Sequence, residues 1–160
     1  MPVVVLVGTL DTKGDESRYV RDRVRGAGCD TLVVDIGIRS SGSWADISAD
    51  EVARAAGEDR SELARVGDRG PAVMAMTRGL VEVVTRLHAQ GRLDGIAGIG
   101  GSGGSSMIAS AMQALDSAAR NIALGLADLV LAGGTESMSR APILFNDAMV
   151  NWLAGLNRAR

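Results

Sequence analysis

LDGIAGIGGSGGSSMIASAMQALDSAARNIALGL, residues 93–126, is the stretch from which the fold class follows. Asp94 to Ile99 is a short apolar run, and five glycines lie between Gly98 and Gly104. Ile108, Met112, Leu115, Ala119, Ile122 and Leu126 then recur at steps of four and three, which keeps one apolar stripe along a helix. The reading is strand, glycine turn and long helix. Such a junction gathers unpaired backbone N–H groups and the positive end of a helix dipole at one point, a favourable seat for a phosphate. The same glycines also suit a plain tight βα turn with no ligand.

Working back toward the N-terminus, Pro71 stands where an N1 proline belongs. Val73, Met76, Leu80, Val83, Val84 and Leu87 predict the apolar face of a helix reaching about Gln90. Arg86 and His88 fall near its C-terminal end, where the dipole favours them, so His88 reads as a surface residue rather than a catalyst. Residues 58–69 are charged, repeat Asp-Arg, and read as a mobile surface connection with little functional signal. Ser48 to Glu51 form a capping box, with Ile47 and Val52 as its staple, opening a short helix that stops at Gly57. A Gly- and Ser-rich loop, Gly37 to Ala45, precedes it. Thr31 to Ile36 and Val3 to Thr9 are runs of the kind buried on both faces of a parallel sheet. Between them LDTKGDE is expected as a polar loop, after which Asp15 and Glu16 open a helix bearing Val20 and Val24. The first 37 residues therefore read as a right-handed βαβ unit with parallel strands.

Toward the C-terminus, Asp128 to Ala132 reads as a fourth strand. Asn146 to Leu156 reads as a last helix, with Met149, Trp152, Leu153 and Leu156 on the side that packs on the sheet or joins two copies as a homodimer. This alternation predicts an α/β fold: a single three-layer, doubly wound, Rossmann- or flavodoxin-like domain over residues 1–160. Its parallel sheet has about four strands in the order 2-1-3-4.

One domain suits 160 residues. Apolar residues make up 46% of the chain, yet no apolar run approaches the roughly 20 residues of a membrane span. MPVVVLVGTLDTKGDE has no basic n-region or cleavage site, so a first strand and a cytoplasmic protein are expected. The net charge is −2, the 17 basic residues are scattered and aromatics reach 2%, which argues against nucleic acid as a partner. Cys29 and His88 are the one cysteine and the one histidine, too few for an internal disulfide, a thiolate cluster or a zinc site. Nor do they supply a nucleophile with its base, so no catalytic residue and no metal is assigned.

In a 2-1-3-4 sheet, ligands sit beyond the strand C-termini, at the switch point between strands 1 and 3. Gly8 to Gly14 contributes Thr9, Asp11, Thr12 and Lys13, the one lysine of the chain. Gly100 to Ser106 contributes Gly100, Gly101, Ser102, Gly103, Gly104 and Ser105. Asp35, ending strand 2, is placed to accept a ribose hydroxyl. The expected ligand is a small-molecule nucleotide, ATP or another, or a phosphate. Gly98, Gly100 and Gly103 match GxGxxG, but on the third strand and with no acidic residue about 20 positions on, so the dinucleotide reading is weak. GTLDTKGD fails Walker A, since Lys13 precedes the second glycine. Asp11, Asp15 and Glu16 read as helix-starting carboxylates more readily than as magnesium ligands.

VLVGTLDTKGDESRYVRDRVRGAGCDTLVVDIGI, ADISADEVARAAG and GRLDGIAGIGGSGGSSMIASAMQAL resemble a family of bacterial proteins related to a plant tobamovirus-resistance protein. The likeness spans about residues 1–115, with GTLDTKGDE and GIGGSGGSS as its marks, and it implies an ATP-binding α/β module. Residues 112–160 change character: MQALDSAARNIALGLADLVLAGGTESMSRAP resembles the N-terminal half of thiolases. There the helix opens with a nucleophilic cysteine, and Ile108 holds that place here, so the resemblance carries no thiolase chemistry. Met112 to Leu115 fit both families. The expectation is a chimera, engineered or shuffled, whose thiolase-like part completes the sheet; the alternative is a divergent natural protein.

Overall fold

The computed structural model describes residues 1–39 and 44–122, with side chains as far as Leu115. Three parallel strands form an open sheet: β1 (Val3–Gly8) in the centre, β2 (Asp30–Asp35) on one side and β3 (Gly95–Ile99) on the other. Among the described residues five helices accompany them, α1 (Leu10–Gly26), α2 (Ala49–Ala55), α3 (Arg60–Val66), α4 (Arg69–Ala89) and α5 (Ser102–Ile122). The order β2-β1-β3 is the first part of the expected one. The expected fourth strand, Asp128 to Ala132, and last helix, Asn146 to Leu156, lie outside the described residues.

The chain steps from β1 to β2 in one direction and returns across β1 to β3 in the other. With right-handed crossovers, that reversal sends α1 and α4 to opposite faces of the sheet. Val5 and Val7 of β1, with Leu32, Val34 and Ile36, share one buried cluster with side chains of α2, α4 and α5. Leu6 and Val33 are equally buried but stand outside that cluster, because alternation along a strand turns them to the face where α1 packs on β1 and β2. The outer edge of β2 is covered by its own chain: Ile47 N–H donates to the Val33 carbonyl at 3.0 Å, and the Asp46 carboxylate accepts from Val33 N–H at 2.7 Å. An edge so occupied offers no template to another chain.

Three boundaries differ from the sequence expectations. The polar loop LDTKGDE is partly helical: the Thr9 carbonyl accepts from Thr12 N–H at 3.0 Å and Lys13 N–H at 2.7 Å, so α1 begins at Leu10 and kinks at Lys13. Residues 58–69 are not a plain connection, for they hold α3 and the start of α4. Pro71 sits at the third position of α4 rather than the first, since the Asp68 carboxylate caps Gly70 N–H at 3.0 Å and starts the helix two residues earlier. That place is still within the first turn, where a missing N–H costs little.

The expected stripe on α5 holds as far as side chains are described: Ile108, Met112 and Leu115 are buried in the common core. The helix runs through Met112 to Leu115 as one element.

Candidate functional site

Register builds the site. Gly8 is paired with both Asp35 and Ile99, so the three strands end level and Thr9, Ile36 and Gly100 emerge side by side. Above them lies a cleft of about 420 Å³, within the range of small-molecule sites. Its walls come from four segments. The start of α1 supplies Thr9, Asp11 and Thr12, and the segment after β2 supplies Ile36, Gly37, Ile38 and Arg39. The turn into α5 supplies Gly101, Gly103, Gly104 and Met107, while α3 and the start of α4 supply Leu63, Ala64, Gly67, Asp68, Arg69, Ala72 and Val73.

The glycines of the α5 turn have separate physical duties. A Cβ on Gly100 would stand 2.8 Å from the Gly104 backbone, and one on Gly104 would stand 2.9 Å from Thr9 Cγ2, so these two let the turn close on itself and on Thr9. Gly101 has open space around it, and a Cβ on Gly103 would meet nothing nearer than the Arg69 guanidinium at 3.5 Å. Gly103 and Gly104 lie in the first turn of α5, where backbone N–H groups lack intrahelical acceptors. Ser105 secures the turn, its N–H donating to the Gly101 carbonyl at 2.8 Å and its hydroxyl to the Gly100 carbonyl at 3.2 Å.

Of the residues singled out from sequence, Thr9, Asp11, Thr12, Gly101, Gly103 and Gly104 line the cleft. Gly100 and Ser105 shape the turn behind it, and Ser102 opens α5 with its side chain exposed. Lys13 is engaged elsewhere: its Nζ lies 2.8 Å from Glu16 Oε1, and that bond holds the Glu16 carboxyl below the ordinary carboxylate range. Asp35 is buried beneath the cleft, where Oδ1 accepts from Gly37 N–H at 2.8 Å and Leu10 N–H at 3.2 Å. Its carboxylate thus ties the end of β2 to the start of α1. Asp11 Oδ2 accepts from Arg39 N–H at 3.2 Å, a second tie between the same segments.

The cations of the cleft are arginines that sequence reasoning passed over. Arg39 and Arg69 line it, and neither guanidinium has an ion-pair partner among the described residues. The Arg69 guanidinium lies 3.5 Å from the Cβ position of Gly103 in the first turn of α5, and the same lining holds Arg39, the two threonines and the apolar side chains of Ile38, Leu63 and Val73. The signal for Arg69 was present in the repeated Asp-Arg: each aspartate is an N-cap and each arginine the first residue of a helix.

Comparison with known proteins places these segments in context. The model of the uncharacterised protein family UPF0261, N-terminal domain, matches residues 2–119, and that of the thiolase N-terminal domain matches residues 105–158. A UPF0261 protein of Clostridium tetani is 36% identical over 71% of this chain and 28% of its own length. One of Mesorhizobium japonicum is 34% identical over 99% of this chain and 38% of its own. The ToMV susceptible protein tm-1 of Solanum lycopersicum is 28% identical over 85% of this chain and 20% of its own. The chain therefore spans well under half the length of these relatives. Its match over residues 2–119 includes both cleft-forming loops, and the chain belongs to the uncharacterised protein family UPF0261, of which it carries the N-terminal domain.

Proposed function

We propose that the cleft binds a nucleotide, ATP or another, or a simpler phosphate-bearing small molecule, and that it does so without catalysis. The observation carrying this reading is the approach of Arg69 to the first turn of α5, in a cleft at the switch point between β1 and β3 that Arg39 and the apolar Ile38, Leu63 and Val73 also line. The ATP-binding character implied by the family resemblance supports the same place. Lys13 has a smaller part in this reading than its charge suggests, because its ammonium is bound to Glu16.

The test is calorimetric titration of ATP, ADP and sulfate into the parent, Gly103→Val, Arg69→Ala and Lys13→Ala chains, with melting temperatures alongside. A valine at Gly103 fills space a phosphate needs and should abolish binding. Arg69→Ala should weaken binding most at low salt, and Lys13→Ala should weaken it less. A ligand at a hundredfold excess over Kd stabilises by about 2.7 kcal/mol, roughly 5–10 °C for a chain of this size. No shift in the parent at millimolar nucleotide defeats the proposal.

A second reading is favoured by the thiolase match at residues 105–158, which overlaps the family match inside α5. On that reading the chain is a folded chimera, engineered or shuffled, with no ligand. Against it, the Mesorhizobium relative aligns over 99% of the chain, through the overlap.

A further inference from the structure

Ser17 has no place in the site described above, yet its surroundings are unusual. It is fully buried, the one side chain of α1 that is, and its hydroxyl has no hydrogen-bond partner among the described residues. Native proteins seldom leave a buried hydroxyl unsatisfied. On other helices here the solution is a bond to the carbonyl four residues back: Thr77 Oγ1 donates to Val73 at 2.7 Å, and Ser110 Oγ to Ser106 at 3.0 Å.

For Ser17 that acceptor is Lys13, the residue inside α1 with non-helical backbone angles, φ −129° and ψ 29°. Because ψ sets the direction of a residue's own carbonyl, a value about 70° from the helical one swings the Lys13 carbonyl off the helix axis. The Ser17 hydroxyl packs instead against Gly8, where a Cβ would stand 2.7 Å from it. Gly14, next to the kink, has nothing within 4 Å of its Cβ position, so an alanine fits there.

We propose that the Lys13 joint is a two-state element that sets the shape of the cleft. In the kinked state the Lys13–Glu16 pair and the Asp11 bond to Arg39 N–H hold the first turn of α1. In the straight state Lys13 adopts helical ψ, α1 runs unbroken, and Ser17 rotates its hydroxyl onto the Lys13 carbonyl. Thr9, Asp11 and Thr12 lie on or beside the moving turn and line the cleft, so the two states present different floors to a ligand. The Lys13–Glu16 pair and the Asp11 bond are solvent-exposed and therefore weak, while the part-buried Asp35 bond to Leu10 N–H anchors the point where the turn begins. The proposal rests on the nucleotide reading only for what biases the joint, since a ligand shifts such an equilibrium by its differential affinity for the two states.

The experiment is NMR relaxation dispersion on the ligand-free chain, followed by ATP titration, for the parent, Ser17→Ala and Gly14→Ala. In the parent, amides of residues 10–17 should show microsecond-to-millisecond exchange. Ser17→Ala removes a bond that only the straight state makes, so it should quench that exchange without lowering the melting temperature. Gly14→Ala favours continuous helix and should raise the minor population. Flat dispersion in the parent, or a melting temperature that drops in Ser17→Ala, overturns the two-state joint. Where ATP binds the kinked cleft described above, it should suppress the exchange of residues 10–17 in the parent, and exchange left unchanged at saturating ATP overturns the coupling to the cleft. If ATP leaves the parent's melting temperature unmoved, the nucleotide reading falls, and the ligand-free dispersion still decides the joint.

Discussion

Asp35→Ala should cost stability rather than ligand chemistry. The Asp35 side chain is 1% exposed and accepts from Gly37 N–H at 2.8 Å and Leu10 N–H at 3.2 Å. The shorter bond lies in the charge-assisted range and is worth about 1.5–3 kcal/mol; the longer one counts for about 1 kcal/mol. Alanine strands both N–H groups at the foot of the cleft, while relief from burying a carboxylate returns part of the loss. The net should be about 2–4 kcal/mol, a large share of the roughly 5–15 kcal/mol that holds an ordinary domain together. Asp35→Asn keeps a carbonyl acceptor in the same place and should recover more than half. Urea unfolding monitored by circular dichroism, with the m-value checked for constancy, measures all three chains. An alanine variant within about 0.5 kcal/mol of the parent would refute the reasoning, because a buried and a part-buried N–H cannot both lose their acceptor so cheaply. A ribose-binding Asp35 predicts the reverse pattern, unchanged stability with nucleotide affinity lost.

Gly79→Ala sets two effects against each other: an alanine in a helix interior gains roughly 1 kcal/mol over glycine, but here its Cβ would stand 2.8 Å from the Val52 carbonyl carbon. Backbone of α2 cannot swing aside as a flexible side chain can, so overpacking of about 1–3 kcal/mol should win and lower the urea midpoint; a raised midpoint would contradict the close crossing of α2 and α4. Glu51 gives a pH prediction. The Ser48 N–H, and then its hydroxyl, hold the Glu51 carboxyl below its ordinary 4.5, so its contribution is present above that pH and lost as pH falls through the lower folded value. Melting temperatures between about pH 5 and pH 3 should therefore fall more steeply in the parent than in Glu51→Gln, and parallel curves would exclude the capping box as a source of acid sensitivity.

The sheet was legible because its strands are buried on both faces and read as continuous apolar runs, Val3 to Gly8 above all. The cleft was legible only in part. Thr9, Asp11, Thr12 and the glycines were found through the switch-point rule, which needs strand order alone. Position in sequence points Lys13 and Asp35 at a ligand, but what each binds depends on geometry that position does not carry. Glu16 lies three residues from Lys13 on the same helix and reaches it first. The partners of Asp35 are set by the register that levels Gly8 with Asp35.

The wall formed by α3 was missed for a physical reason. A helix of seven residues with no buried side chain has no apolar period to detect, so composition made residues 58–69 look like a linker. What positions α3 is polar and local. Asp59 accepts from Ser61 N–H at 2.7 Å to start it, and Gly67 ends it at φ 72°, a backbone angle that an L side chain rarely takes. Asp68 then starts α4 by the same device. Arg60 fastens the wall to its neighbours, with Nε 2.6 Å from Asp50 Oδ1 and Nη1 donating to the Ile38 carbonyl at 3.0 Å. The two Asp-Arg pairs are thus two helix starts. The second of them delivers Arg69 to within 3.5 Å of the Gly103 Cβ position, which is why a segment without a core of its own still furnishes a cation to the cleft.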